Sequence, residues 1–462
     1  MLTGIPFSLY FDSGDGLSLF FAGGITILAG LLFRLVRFKT GDQVNKREGY
    51  LIVALGWLAM VTFGCLPYLI SGAIPSPVDA LFETVSGMTT TGASILNDIE
   101  AVPAGILYWR SLTQWIGGMG IIVLTVAILP LLGIGGIELF VAEAPGPTSD
   151  KIHPRIQETA KRLWFIYVGL TVLLTGILYL VGMSFYEAIN HALTTMATGG
   201  FSTRNGSMAD FNDPLIQYPI ILFMFIAGIN YTVIYWSLTG KFKQAWRSDE
   251  LRAYLLIVGV LTFFVTLGVL RHTDWAFEES FRASLFQIVS LITTTGFVSA
   301  DYTSWGTSLT MVFFCLLFVG ACAGSTSGGI KLIRHLVFFK NSFLEFKKIL
   351  HPRAIVPLRL NGQVVRPQIM MHIQVFLLLY LAMFVIGSIV VATLGLDFRT
   401  AIGAVATSLG NVGPGIGNVG PVDNFAWLSP EIKLFLAFLM LLGRLELFTI
   451  LVLFTPYFWK SN

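Results

Sequence analysis

The chain predicts an all-α, polytopic membrane protein, and three features carry that expectation. Of its 462 residues, 55% are hydrophobic and only 12% are charged, and the mean hydropathy is +0.76; a soluble domain carries about 25% charge. Apolar runs near the ~20 residues a bilayer requires recur at 51–70, 163–181, 215–238, 254–270, 309–320 with its continuation, 375–394 and 432–453. Four glycines, Gly92, Gly200, Gly296 and Gly413, each close a short polar stretch, and the chain around them repeats. Almost nothing is left over for a soluble domain.

The repeat has a fixed register. Twelve positions before each glycine stand Ala80, Ala188, Ser284 and Ala401, all small. Six positions before stand Ser86, Thr194, Ser290 and Thr407, all hydroxyl-bearing. Each unit has one order: a spanning helix, a shorter segment, the glycine strip, a polar loop and a returning helix. The shorter segments, 79–88, 185–196, 281–292 and 398–409, cannot span and are too apolar for surface loops, so a re-entrant half-helix fits them. The chain therefore predicts four pseudo-repeats of helix, half-helix, filter strip and helix around a central pore. We divide it into an N-terminal helix region (1–46), a first pore repeat (47–137) and a cytoplasmic loop (138–161). A second repeat (162–247), a third (248–350) and a fourth (351–462) follow.

Irregular backbone at membrane depth is tolerated only where it lines a cavity or is buried in protein. Half-helix C-termini pointing inward bring partial negative charge to such a cavity. Glycine permits positive φ, which turns carbonyl oxygens toward the axis, and neighbouring threonines can add hydroxyl oxygens. The candidate ion-binding residues are Thr90, Thr91 and Gly92; Thr198, Gly199 and Gly200; Thr294, Thr295 and Gly296; and Asn411, Val412 and Gly413. A ring of neutral oxygens replaces the water of a weakly hydrated monovalent cation. Gly199 and the Asn411-Val412 pair break the threonine pattern, so the ring is pseudo-fourfold. The competing account has these small residues only packing helix on helix; fourfold recurrence in register argues against it.

Charge sets the orientation by the positive-inside rule. One set of loops carries Arg34, Arg37, Lys39, Lys46 and Arg47, then Lys151, Arg155, Lys161 and Arg162, then Lys241, Lys243, Arg247 and Arg252. A dense basic run over 331–366 and Lys460 complete that cytoplasmic set. The alternate loops are acidic, with Asp79, Asp98, Glu100, Asp210, Asp213, Asp274, Asp301, Asp397 and Asp423 among them, and the glycine strips lie on their side. Those carboxylates concentrate cations at an outer vestibule, or merely keep the loops soluble and oriented. Cys65, Cys315 and Cys322 lie in apolar segments without metal-ligand spacing and read as packing residues. The first residues show no cleavable-signal pattern.

Several runs resemble the Trk/Ktr/HKT superfamily of potassium transporters, and within it the TrkH type. They are Arg47-Glu48-Gly49-Tyr50-Leu51, Gln114-Trp115-Ile116-Gly117-Gly118-Met119-Gly120-Ile121-Ile122 and Ala144-Pro145-Gly146-Pro147. Further runs are residues 320–329, Asn411-Val412-Gly413-Pro414-Gly415 and Gly443-Arg444-Leu445-Glu446. The resemblance covers nearly the whole chain. It implies a potassium-translocating subunit of a bacterial cytoplasmic membrane, with the strips facing outward. It also implies a homodimer in membrane lipid and a cytoplasmic nucleotide-binding gating ring as partner. No enzyme activity, cofactor or nucleic acid is expected; the bound metal is the transported K+ itself. Glycine at all four filter positions goes with potassium in this superfamily and serine at the first with sodium, so Gly92 implies potassium. The alternative within the superfamily is a Na+-permeable or cation-coupled symporter. TrkH-type chains carry two extra helices before the first unit. Here only 16–38 is long enough to span and 2–11 looks like the tail of a helix, so either an upstream start is missing or there are nine spans.

Residues 320–329 place Gly, Ser and Thr in the middle of a span, and each interior glycine costs about 1 kcal/mol against alanine, so this stretch should unwind. It lacks the Gly-Lys-Ser/Thr of a phosphate loop; a small-residue helix crossing is the competing account. The resemblance implies an intramembrane gate here, made of Gly324, Ser325, Thr326, Ser327, Gly328 and Gly329 within a loop over 320–330. Arg444 is a lone basic residue in the last span, costing at least ~2.5 kcal/mol at the bilayer centre. It is expected to face the pore or a partner, leaning toward the gate loop as an electrostatic barrier to the open state; Glu446 is wrongly spaced to pair with it on a regular helix. Glu83 and Glu187 are placed to orient strips through backbone bonds, His191 reads as a satisfied core residue, and Asn230 as a bridge between helices. Residues 331–366 and 138–162 are candidate docking surfaces for the ring. An intramembrane enzyme would need a nucleophile–base pair or metal cluster, for which no convincing spacing exists. An organic-solute carrier tends to show inverted repeats, whereas these units all run in the same direction.

Overall fold

The computed structural model describes residues 1–35, 46–123, 152–354 and 356–460; the 144–147 run and most of the 138–162 docking candidate lie outside these. The described chain is helical apart from a two-stranded antiparallel ribbon pairing Arg359 with Val364 and Leu360 with Gln363. Short N-terminal helices, Leu2–Gly4 and Ile5–Tyr10, precede a long one, Gly16–Leu35. Asp15 fixes them to the first pore unit by accepting from the Ile106 N–H at 2.8 Å.

The four units follow the expected order. Their outgoing helices are Lys46–Gly64 with its continuation Leu66–Ser71, Ile152–Leu180, Asp249–His272 and Pro367–Thr393. Only 17–33% of each long spanning window is buried within the protein. The remainder turns apolar side chains such as Phe33, Phe263 and Leu378 outward, which suits hydrocarbon and not water as the surrounding solvent.

The half-helices are Pro77–Met88, Phe185–Met196, Phe277–Ile292 and Phe398–Gly410. The side chains of Ser76, Ser184 and Asp397 cap three of them by accepting from the N–H three residues on. In the third unit Ser280 occupies that register position, but the helix runs through it and starts four residues earlier than the sequence pattern suggested. The repeat register survives; only the helix start moves.

Two returning helices expected to be continuous are broken. Pro214–Ala227 and Tyr231–Leu238 meet at 107°, and Pro430–Arg444 meets the following helical segment at 115°. Asn230, expected to bridge helices, instead caps the second piece by accepting from the Thr232 N–H at 2.8 Å. Thr307–Leu316 ends in irregular backbone that continues to Lys331, as its glycines required. The basic segment beyond it is no loop: Leu332–Leu350 is a helix, and the ribbon follows.

Buried side chains form two principal cores, one shared by the second and third units and one by the first and fourth. Acidic loops gather at one end, where Asn205 bonds Asp98 and Lys433 pairs with Asp79 at 2.7 Å. Basic segments gather at the other, where Lys340 pairs with Asp249 at 2.8 Å.

Candidate ion-binding site

The four glycine strips form a closed ring. A β-carbon added to Gly92 would overlap the carbonyl oxygen of Gly199, and one on Gly200 would overlap that of Thr295. One on Gly296 would lie 2.8 Å from the nitrogen of Gly413, and one on Gly413 would lie 3.1 Å from the Gly92 oxygen. Strip one thus touches two, two touches three, three touches four, and four returns to one. Backbone meets backbone all the way round, and at Gly92, Gly200 and Gly296 the approach is too close for a β-carbon.

How each half-helix ends explains the strip geometry. The first residue of each strip, Thr90, Thr198, Thr294 or Asn411, is left-handed, with φ of 54°, 54°, 57° and 53°. Its N–H turns back on the half-helix, to Gly87 (3.0 Å), Thr195 (3.0 Å), Leu291 (3.0 Å) and Ser408 (3.4 Å) respectively. A second bond then closes on the hydroxyl-bearing residue of the repeat: Thr91 to Ser86, Gly199 to Thr194, Gly296 to Ser290 and Val412 to Thr407. In the first, second and fourth units this is a Schellman-type cap with threonine or asparagine where glycine is usual, and in the third the closing bond spans one residue more. Left-handed backbone at such residues costs of order 1–3 kcal/mol each and clusters at functional sites. Sequence reasoning missed this position because it looked for positive φ only at the closing glycine. Gly92, Gly200 and Gly296 do have φ of 84°, 77° and 77°, but Gly413 does not share the positive φ expected of it.

Side chains around the ring stiffen it. The Thr91 hydroxyl is held by Thr89 (2.8 Å) and receives an N–H from Asn411 (3.1 Å); Thr295 is held by Thr293 (2.7 Å). The Thr91 and Thr295 hydroxyls are therefore braces, whereas Thr90 Oγ1 and Asn411 Oδ1 are buried without a hydrogen-bond partner. Gln114, unremarked in the sequence except within the 114–122 run, donates to the Gly199 carbonyl (2.6 Å) and accepts from Phe201 (3.1 Å). Its signal was an amide in an otherwise apolar span. The glycines beside it explain that run, because a β-carbon on Gly117 would overlap the Met88 carbonyl at the end of the first half-helix.

Nine positions before three of the strip glycines a second repeat appears, with Ala404 at that position in the fourth unit. Glu83 accepts from the Ile95 N–H (2.9 Å) and Ser94 (3.0 Å), His191 bonds Ser202 (2.9 Å), and Gln287 donates to Ala300 (3.0 Å). Each ties a half-helix to the chain leaving its strip. Glu83 orients its strip as expected, and His191 is a satisfied core residue; Glu187 instead pairs with Arg204 at 2.5 Å. Arg110 completes the first anchor, bonding Glu83 at 2.7 Å and Ser202 at 3.0 Å with its guanidinium 3.5 Å from the Phe201 ring centre. Both ions are buried, at 0% and 2% exposure. Removing one partner strands the other charge, so Arg110→Met is expected to cost about 3–5 kcal/mol. A lowered thermal midpoint in detergent, partly restored by adding Glu83→Gln, checks this; an unchanged midpoint in the single variant refutes it.

Beneath the ring, the irregular segment lies across the inner ends of the strips. Thr326 Oγ1 donates to the Met196 carbonyl (3.1 Å), and the Gly328 N–H donates to Thr294 Oγ1 (2.6 Å). A β-carbon on Gly328 would lie 2.6 Å from that of Asn411. Arg444 reaches the segment as anticipated: Nη1 donates to the Thr326 carbonyl (2.8 Å) and Nη2 to that of Gly117 (3.3 Å). Segment and arginine together thus contact all four units. Ser325 bonds Ser327 (2.8 Å), and Lys331 folds back onto the Ser327 carbonyl. Gly324 and Gly329 turn the chain, with φ of 71° and 66°. Glu446, left-handed at the helix break, pairs with Arg334 at 2.5 Å and leaves Arg444 to the loop.

Known proteins share this fold and much of this sequence. The TrkH family, described as cation transport proteins, matches residues 18–461. The Trk system potassium uptake protein TrkH of Escherichia coli K12 is 39% identical over 427 residues, 92% of this chain and 88% of the relative. The protein of that name from Halomonas elongata is 37% identical over 465 residues, 100% of this chain and 96% of the relative. The crystal structure of the potassium transporter TrkH from Vibrio parahaemolyticus superposes with a TM-score of 0.90 at 35% identity, covering 99% of this chain and 96% of that one. With the fold, the fourfold repeat and the sequence all in agreement, this integral membrane protein belongs to the TrkH family of cation transporters, a family of transport proteins and not of enzymes.

Proposed function

We propose that the protein is the potassium-translocating membrane subunit of a Trk-type uptake system. Main-chain carbonyls of Thr90–Gly92, Thr198–Gly200, Thr294–Gly296 and Asn411–Gly413 select the dehydrated ion, and the 320–330 loop with Arg444 gates it from beneath. The observation that carries this reading is the closed glycine ring, in which each strip abuts the next through backbone. Four neutral carbonyl layers favour an ion that sheds its water easily and leaves quickly. Relatives named for potassium uptake support the choice of ion. Inward movement is favoured by the membrane potential, about 2.3 kcal/mol per charge per 100 mV.

The partners belong to the same proposal. Outward apolar faces take lipid, a second copy completes a homodimer, and a cytoplasmic nucleotide-binding ring docks at the basic 331–366 segment. The Trk system naming of the relatives accords with a subunit that works alongside others.

Reversal potentials of the protein in liposomes test the reading. Currents carried by K+ and Rb+ but far less by Na+, and unmoved by a pH gradient, are expected. Equal Na+ currents, or an amino-acid flux, would overturn the potassium assignment, and a shift with the pH gradient would establish coupled transport instead.

A further inference from the structure

The neck of the irregular segment is closed by three elements, and one is a carboxylate to which no role has been given. Two main-chain bonds cross the neck, from the Gly320 N–H to the Ile330 carbonyl (2.9 Å) and from the Leu332 N–H to the Ala321 carbonyl (3.1 Å). Just beyond them, Glu250 Oε1 accepts from the Ala323 N–H at 2.8 Å and from the Ile333 N–H at 3.1 Å. One oxygen atom thus holds both legs of the segment. Glu250 is 1% exposed, its Oε2 has no hydrogen-bond partner, and it forms no ion pair among the described residues. A buried carboxylate without a counter-ion is expensive, and helix packing alone gives no reason to keep one.

The surroundings make Glu250 a fixed post. Ser248 caps its helix by accepting from the Leu251 N–H (3.3 Å), and the neighbouring Asp249 is held by Lys340 (2.8 Å) and the Asn361 N–H (3.0 Å). Those partners lie on Leu332–Leu350, the helix that continues directly from the segment, and on the turn of the ribbon. We propose that Glu250 is the positioning residue of the gate: a clasp that holds the two legs of the 320–330 loop together and so keeps it pressed against the strips. This rests on the gating role proposed above. One carboxyl oxygen accepts both N–H groups at once, and an ionised one bonds each about twice as strongly as a neutral acceptor does. The loop then swings as a unit about its neck, while the first three strips, anchored separately through Glu83, His191 and Gln287, and the fourth, held by Asn411 on the Met440 carbonyl, keep their geometry.

Cys322 reports on this directly, because it is buried inside the clasped loop and is one of only three cysteines. In a full-length Cys65→Ser/Cys315→Ser background reconstituted in liposomes, Glu250→Ala is expected to speed modification of Cys322 by a small thiosulfonate at least about tenfold, the loss of one charge-assisted hydrogen bond or more. K+ flux should rise in parallel, with K+ over Na+ selectivity unchanged. Glu250→Gln keeps an acceptor oxygen and should remain closer to wild type than to Glu250→Ala in both readouts. An unchanged Cys322 rate in folded Glu250→Ala overturns the clasp, and so does a Gln variant as reactive as the Ala variant. A faster Cys322 reaction without altered flux upholds the clasp and counts against the gate reading.

Discussion

Serine at Gly92 or Gly200 is expected to reduce K+ over Na+ selectivity by at least about tenfold, equivalent to about 1.4 kcal/mol of discrimination, whereas serine at Gly413 should leave most of it intact. The order follows from geometry. At Gly92 and Gly200 the added β-carbon overlaps a carbonyl oxygen of the next strip, and the backbone is left-handed. An L-residue there adds about 1–2 kcal/mol of local strain, and the overlap pushes the Gly199 or Thr295 carbonyl off the ring. Gly296 is intermediate: its φ is 77°, yet its nearest neighbour, the Gly413 nitrogen, is 2.8 Å from the added atom. Gly413 lacks the positive φ, and its closest contact is 3.1 Å. Bi-ionic reversal potentials for the four serine variants measure the order. Equal losses at all four positions, or the greatest loss at Gly413, would detach selectivity from this ring.

That gradation was not legible in the sequence, and the reason is physical. The repeat spacing identified the strips because every unit must end a half-helix at the same depth, which fixes Ala80, Ala188, Ser284 and Ala401 in register. The unwound 320–329 stretch was legible because four glycines beside serines and threonine leave a helix little to hold it. What escaped was conformational. Thr90, Thr198, Thr294 and Asn411 carry the left-handed turn, and threonine gives no hint of that, since propensity would assign such a turn to glycine or asparagine. The breaks after Ala227 and Arg444 escaped for a related reason: apolar periodicity continues through them, and only Gly228, Asn230 and Glu446 mark the kinks. The cyclic order of the strips is a tertiary property of backbone contacts that no local pattern encodes. Glu250 stood in the first turn of a helix, where a carboxylate is ordinary, so its reach to the loop gave no signal.

Arg444→Ala is expected to raise K+ flux by about 10- to 100-fold, and Arg444→Lys decides why. The guanidinium bonds the Thr326 carbonyl at 2.8 Å and the Gly117 carbonyl at 3.3 Å, tying the loop of the third unit to the returning helices of the first and fourth. A hydrogen bond from a charged donor contributes about 1.5–3 kcal/mol, so its loss shifts a closed–open equilibrium by about one to two powers of ten. Two physical roles predict that same rise. As a barrier, the positive charge repels cations under the ring; as a latch, the planar fork holds the loop up. Lysine preserves the charge but replaces the fork with one compact ammonium on a flexible stem. A latch therefore makes Arg444→Lys conduct nearly like Arg444→Ala, while a barrier keeps it nearly as closed as wild type. The distances favour the latch, because the two bonds join different units; the barrier is the rival because Glu446 is paired with Arg334 and leaves the Arg444 charge unneutralised. Single-channel recordings or liposome flux on the three proteins, with K+ over Na+ selectivity as a control on the strips, separate the roles. Flux unchanged or reduced in a correctly folded Arg444→Ala would remove the arginine from the gate altogether.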